Sequence, residues 1–126
     1  MNRWATKLAC LCLALTEVGS IAWAGTNGVP NAVEVRRLLR DGALLVDVRT
    51  PAEYAEQHLP EAVNVPLDRI AVWFPQHVLD KNRVILIHCR SGRRSAQAEQ
   101  RLRELGYSRV INLGSFAQTQ RVVTGP

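Results

Sequence analysis

Apolar positions along the chain fall into alternating helix-spaced and strand-like stretches from residue 31 onward. Asn31 offers a capping side chain with Glu34 three residues on, and Val35, Leu38 and Leu39 make one apolar face that Gly42 ends. Leu44 to Val48 is an apolar run of strand length that carries Asp47. Thr50-Pro51-Ala52-Glu53 is a second capping box, with proline at the first helical position, where its missing N–H costs nothing. Pro60 keeps that helix short. Val63 and Val65 flank Asn64 in a brief strand closed by Pro66. Leu67, Ile70, Ala71 and Phe74 recur at helical spacing, and Pro75 is expected to break that helix. Val84 to Ile87 is continuously apolar, which predicts a strand covered on both faces, as in a parallel sheet. Ala98, Leu102 and Leu105 give one more helix before Gly106, and Val110-Ile111 a last strand. Strands alternating with helices predict a small α/β domain with a mainly parallel central sheet.

The first 24 residues read differently. Arg3 and Lys7 precede an uncharged, mostly apolar stretch from Leu8 to Leu15, and Ala22-Trp23-Ala24 supplies small residues for a cleavage site. That order predicts a secretory signal peptide over 1–24, cut after Ala24, and hence a periplasmic or secreted protein. Glu17 interrupts the segment well short of the roughly 20 apolar residues a membrane span needs, so no stable membrane insertion is expected after cleavage. Residues 25–30 are rich in Gly, Asn and Pro and read as a flexible leader to one domain over 31–126.

Export changes the cysteine count. Cys10 and Cys12 leave with the signal, and Cys89 becomes the mature chain's single thiol in an oxidising compartment. Composition alone favours an inert buried hydrophobe. The mature chain carries 16 − 2 = 14 Lys+Arg and 11 − 1 = 10 Asp+Glu, a net charge of 14 − 10 = +4. Nothing resembles a basic stripe interleaved with aromatics, so no nucleic-acid partner is expected. The basic cluster that stands out is "CRSGRR", residues 89–94.

In the predicted architecture that loop joins the carboxyl end of a central strand to the next helix, where open α/β sheets bind ligands. Its backbone N–H groups, turned inward through Gly92, would form an anion nest beneath the positive end of the helix. A thiol at such a nest is expected to have a lowered pKa and to act as a nucleophile. Cysteine enzymes that cleave phosphate esters place an arginine six positions after the nucleophile. Here that position is Ser95 and the loop closes at Arg94. The shorter ring suits one extra sulfur on Cys89 better than a phosphoryl group.

"LLVDVRTPAEYAEQHLPEAVNVP" (44–66) and "VILIHCRSGRRSAQAEQRLRELGYSRVINLGS" (84–115) together resemble the two signatures of single-domain rhodaneses, an α/β family of sulfurtransferases. The resemblance implies that Cys89 takes a sulfane sulfur from a small anionic donor such as thiosulfate, holds it as a persulfide, and passes it to cyanide, a thiol or a protein thiol. It implies no metal and no organic cofactor. The N–H groups from Arg90 to Arg94 would stabilise the persulfide. The guanidiniums of Arg90, Arg93 and Arg94 would bind the donor, Arg94 having bracing of the loop as its alternative. Ser91 and Gly92 would shape the loop. Asp47 and Arg49 read as a structural ion pair, and His58 as the residue that fixes a turn.

His88 should point away from Cys89 by strand alternation. His58, His77, His88 and Cys89 lack metal-ligand spacing. Gly114-Ser115 stands where the family has a double glycine, the tryptophan expected in the closing helix is absent, and "AQTQRVVTGP" follows. These departures weaken the expectation of a packed final helix and would favour self-association. A sulfur-carrier module that transfers only when docked to a partner is the alternative to a freely turning-over enzyme. An exposed apolar patch at Trp73-Phe74 would mark it.

Overall fold

The computed structural model describes residues 30–125. The expected signal peptide, and all of the expected leader but Pro30, lie outside the described residues. Helix α1 (Ala32–Arg40) opens with the Asn31–Glu34 capping box. It leads into β1 (Leu44–Asp47), α2 (Pro51–Glu56) with its Thr50–Glu53 capping box, and β2 (Val63–Asn64). A 3₁₀ turn (Leu67–Arg69) runs into α3 (Ile70–His77), followed by β3 (Ile85–His88), α4 (Arg93–Glu104), β4 (Val110–Gly114) and α5 (Phe116–Val123). The four strands form one sheet in the order β2-β1-β3-β4, all parallel.

Side-chain alternation divides the interior into two layers. Val46, Val48, Ile85, Ile87 and Cys89 face one side, packed with Phe74 of α3 and Ala98 and Leu102 of α4. Leu45 and Leu86 face the other with Val35, Leu59 and Leu113, beneath α1 and α5. The unbroken apolarity of β3 follows from this: Ile85, Leu86 and Ile87 are all fully buried, alternately to the two layers.

Three expectations need correction. Pro75 does not break α3, which runs on to His77. Proline removes only the bond toward Ala71, and buried Phe74 holds the turn, with Val78 N–H still donating to the Phe74 carbonyl at 2.8 Å. β4 extends three residues beyond Ile111, because a register shift between Ile87 and His88 lets Gly114 pair with His88. The closing helix is present: the Ser115 hydroxyl accepts from Gln118 N–H and Gln118 returns the bond, a capping box at the second family-glycine position. Its Phe116, Val122 and Val123 pack on the second layer.

Candidate active site

Three carboxyl-terminal strand ends converge on Cys89. β3 delivers it, and its N–H donates to the Gly114 carbonyl of β4 at 3.1 Å. On the other flank Val48 N–H donates to the His88 carbonyl at 3.1 Å. The chain then turns through Arg90, Ser91 and Gly92 into α4. Gly92 has φ +96°. A Cβ there would meet Gly114 Cα at an ordinary 3.6 Å, so backbone conformation rather than space demands glycine. Gly114 (φ +89°) differs: a Cβ would run into the Gln118 side chain. A bridge between Ser91 and Ser115 and a bond from Phe116 N–H to the Arg90 carbonyl back the loop from behind.

The loop closes over the sulfur. Gly92 N–H donates to Cys89 Sγ at 2.9 Å. Ser95 Oγ lies 3.5 Å from Sγ and 3.0 Å from the Gly92 carbonyl, so its one hydrogen is shared between two acceptors. Burial pushes the Cys89 thiol up, but the Ser95 hydroxyl and the N–H groups of Ser95, Gly92 and Ser91 outweigh it and hold the pKa below the ordinary value. Cys89 is fully buried. A reacting sulfur must therefore enter the nest rather than meet the thiol at the surface.

The arginines separate by position. Arg90 and Arg93 are exposed at the rim. Arg94 points to α2, where its two terminal nitrogens meet both Glu53 oxygens at 2.6 and 3.0 Å. That fork holds the Glu53 carboxyl at about 2, against the opposing effect of burial and with help from Thr50. It raises Arg94 in return. Arg94 thus braces the loop against α2. Ser91 is exposed and Gly92 half-buried.

Asp47 and Arg49 form a buried pair on the opposite layer. The Asp47 carboxylate accepts from Arg49 N–H, Nε and a terminal nitrogen at 2.7–3.0 Å. The same terminal nitrogen donates to the Gln57 carbonyl, and the guanidinium lies over the Phe116 ring at 4.8 Å. Asn64 donates to the Asp47 and Arg49 carbonyls, tying β2 to the end of β1. His58, exposed, stacks on Tyr54 at 3.9 Å and bonds its carbonyl at the end of α2. His88 points away from Cys89, with Nε2 3.8 Å from Asp47. Burial holds it below the ordinary histidine pKa, and Arg49 adds to that against Asp47 and the Cys89 carbonyl.

Sequence reasoning passed over two functional contacts. Ser95 entered only as the residue that displaces a phosphatase arginine; its place three residues after Gly92, on the first turn of α4, was the available signal. Glu53 was read as a helix cap, which it is. Nothing local announces its second partner 41 residues away.

The sequence profile of the Rhodanese-like domain matches residues 31–121, well over half of the chain. The chain belongs to the rhodanese family. Its relatives include thiosulfate sulfurtransferase PspE of Escherichia coli, 39% identical over 71 residues, which are 56% of this chain and 68% of PspE. A sulfurtransferase of Allochromatium vinosum is 44% identical over 73 residues, 58% of this chain and 66% of the relative. Among solved structures, a rhodanese with anions from E. coli superposes with a TM-score of 0.59 at 35% identity, covering 61% of this chain and 91% of that one. The rhodanese fold and the sulfurtransferase class of enzyme follow from these matches.

Proposed function

We propose that this rhodanese moves sulfur through a persulfide on Cys89, with thiosulfate or a similar small anion as donor. The observation that carries this reading is the ring of donors around Sγ: Gly92 N–H at 2.9 Å, Ser95 Oγ at 3.5 Å, and a pKa held down despite full burial. The Cys89 thiolate attacks the outer sulfur of thiosulfate, the S–S bond breaks, and sulfite leaves with the bonding pair. The loop N–H groups then hold the negative outer sulfur. Arg90 and Arg93, at the rim, attract the donor's sulfonate oxygens. A thiol, cyanide or protein thiol takes the sulfur, and no metal or organic cofactor takes part. The kinship to PspE, a thiosulfate sulfurtransferase by name, supports the choice of donor. The order of residues 1–24 supports an exported, periplasmic or secreted site of action with the signal removed.

The freely turning-over enzyme is favoured over the carrier, because the Trp73–Phe74 pair that would mark a carrier's patch is turned inward: Phe74 is fully buried and Trp73, partly buried, packs against the core. Incubation with thiosulfate should add the mass of one sulfur to the protein, and cyanide should then release it as thiocyanate. Cys89→Ala should abolish both. Turnover that survives Cys89→Ala, or a wild-type protein that gains no sulfur, defeats the proposal. Loading without discharge to any small acceptor would restore the carrier.

A further inference from the structure

A cleft of about 230 Å³ opens beside the Cys89 loop, and the nest that holds the sulfur does not use it. Its floor is Val48, Pro66 and Leu67, and its rim carries Asp68, Arg94 and Arg101. Val48 faces the same layer as Cys89, one strand away, and Leu67 N–H donates to the Val48 carbonyl at 3.1 Å. Neighbouring strands lie about 4.8 Å apart, and Asp47 pairs with His88, so Val48, which lines the cleft, is the lateral neighbour of Cys89.

The rim is mixed in charge. Arg94 is committed to Glu53. Arg101 is held in place by one bond to the Leu67 carbonyl at 3.0 Å, which leaves the rest of its five-donor fork for a ligand. Among the described residues neither Arg101 nor Asp68 forms an ion pair. A dianion would meet Asp68, and a simple cation would meet Arg101. A wholly apolar ligand would leave both without use. A zwitterion with a short methylene arm satisfies all three surfaces.

We propose that this cleft is the acceptor subsite and selects a small amino-acid-type thiol, with its carboxylate on Arg101, its ammonium on Asp68 and its methylene over Val48 and Leu67. The inference rests on the sulfur-transfer reading and names its acceptor class. The bound thiol passes its proton to the negative outer sulfur of the Cys89 persulfide, and the resulting thiolate attacks that sulfur. The S–S bond breaks, its electron pair returns to Cys89 as thiolate, and the acceptor departs as a persulfide. No external oxidant or reductant enters.

The test compares discharge of thiosulfate-loaded protein by cysteine, cysteamine, 3-mercaptopropionate and 2-mercaptoethanol, followed by loss of the added sulfur mass. Each rate is expressed as variant over wild type, which cancels intrinsic thiol reactivity. Arg101→Gln should slow cysteine and 3-mercaptopropionate about tenfold relative to 2-mercaptoethanol, and Asp68→Asn should do the same to cysteine and cysteamine. Arg101→Lys, which keeps the charge, should recover most of the loss, and thermal unfolding checks that each variant folds. An equal factor for all four thiols overturns the proposal, as does a defect confined to loading by thiosulfate. Unreactive S-methylcysteine, titrated by NMR, separates this proposal from the transfer reading. It should bind wild type and lose about tenfold in affinity in either neutralised variant even if no sulfur is ever loaded. Absence of that binding overturns the subsite alone.

Discussion

Cys89 and His88 are consecutive, both fully buried, and both titratable, yet their surroundings treat them in opposite ways. The sulfur of Cys89 faces the α3–α4 layer, ringed by Gly92 N–H and the Ser95 hydroxyl. The ring of His88 faces the α1–α5 layer edge-on to Phe116, and its Nε2 has no hydrogen-bond partner. A neutral imidazole has one N–H, whereas this ring faces two acceptors, the Cys89 carbonyl at 3.3 Å and Asp47 at 3.8 Å. One residue is given more donors than a thiol needs, and the other fewer than a histidine could use. Burial alone therefore says nothing about reactivity. The count of donors decides it, and strand alternation separates the two environments by a single residue.

The largest test of that separation lies on the histidine's side. Asp47 is fully buried and takes three donors of Arg49. Asp47→Asn leaves the buried Arg49 guanidinium without its counter-charge, and should cost about 3–5 kcal/mol of stability in urea unfolding. If the two layers are independent, the alkylation midpoint of Cys89 stays where it was at temperatures where the variant is folded. A moved midpoint would break the comparison. On the cysteine's side, Ser95→Ala should raise the Cys89 pKa, because burial then meets fewer opposing donors. Thiosulfate loading near neutral pH should slow about tenfold with the fold intact. An unchanged pH profile of alkylation would leave the backbone N–H groups as the entire device.

His88 gives a smaller effect of opposite character. His88→Leu removes a polar ring that has one weak bond, so stability at pH 7 should change by about 1 kcal/mol or less. The wild-type pKa is lowered in the fold, so the unfolded chain takes up the proton more readily. Wild-type stability is accordingly complete above the unfolded value near 6.5 and erodes as pH falls below it. His88→Leu should flatten that stretch of the curve. A loss of several kcal/mol at pH 7 would show that the ring is a structural keystone.

What could be read from residues alone follows the range of the forces involved. The capping boxes at Asn31 and Thr50 are local in sequence and appear as read. So does the alternation that sends His88 and Cys89 apart, since a strand's period needs no knowledge of its neighbours. Cys89's setting at the head of a strand-loop-helix unit was likewise visible in "IHCRSGRRS". The end of β4 was not, because the bulge that brings Gly114 to His88 is a property of the pair of strands. Pro75 was over-read: a proline rule that ignores the buried Phe74 beside it misplaces the helix end. The partition of the arginines also lay out of reach. Arg90, Arg93 and Arg94 look equivalent in a string, and only the approach of α2 ties one of them to Glu53 and away from the rim.

That approach supplies the smallest effect and the cleanest substitution. Glu53 serves two masters: it closes the α2 capping box with Thr50 and receives the Arg94 fork. Glutamine at the third helical position keeps a capping box, so Glu53→Gln removes the charge from the pair while leaving the helix start in place. The Glu53 carboxyl is held at about 2, chiefly by Arg94. A depressed carboxylate stabilises the fold at pH values above its unfolded pKa of about 4.3, and that contribution fades as pH falls from there toward 2. The pair is partly open to solvent, with side chains 32% and 24% exposed, so its worth is about 1 kcal/mol or less. Wild type should exceed Glu53→Gln by that margin at pH 6–7, and the two unfolding curves should merge as pH approaches 2. The same variant frees Arg94 at the mouth of the nest. If its guanidinium then turns to the donor, the KM for thiosulfate falls while stability drops, and the brace is seen to withhold a third arginine from the rim. If KM stays put, Arg90 and Arg93 already supply the charge that the donor uses.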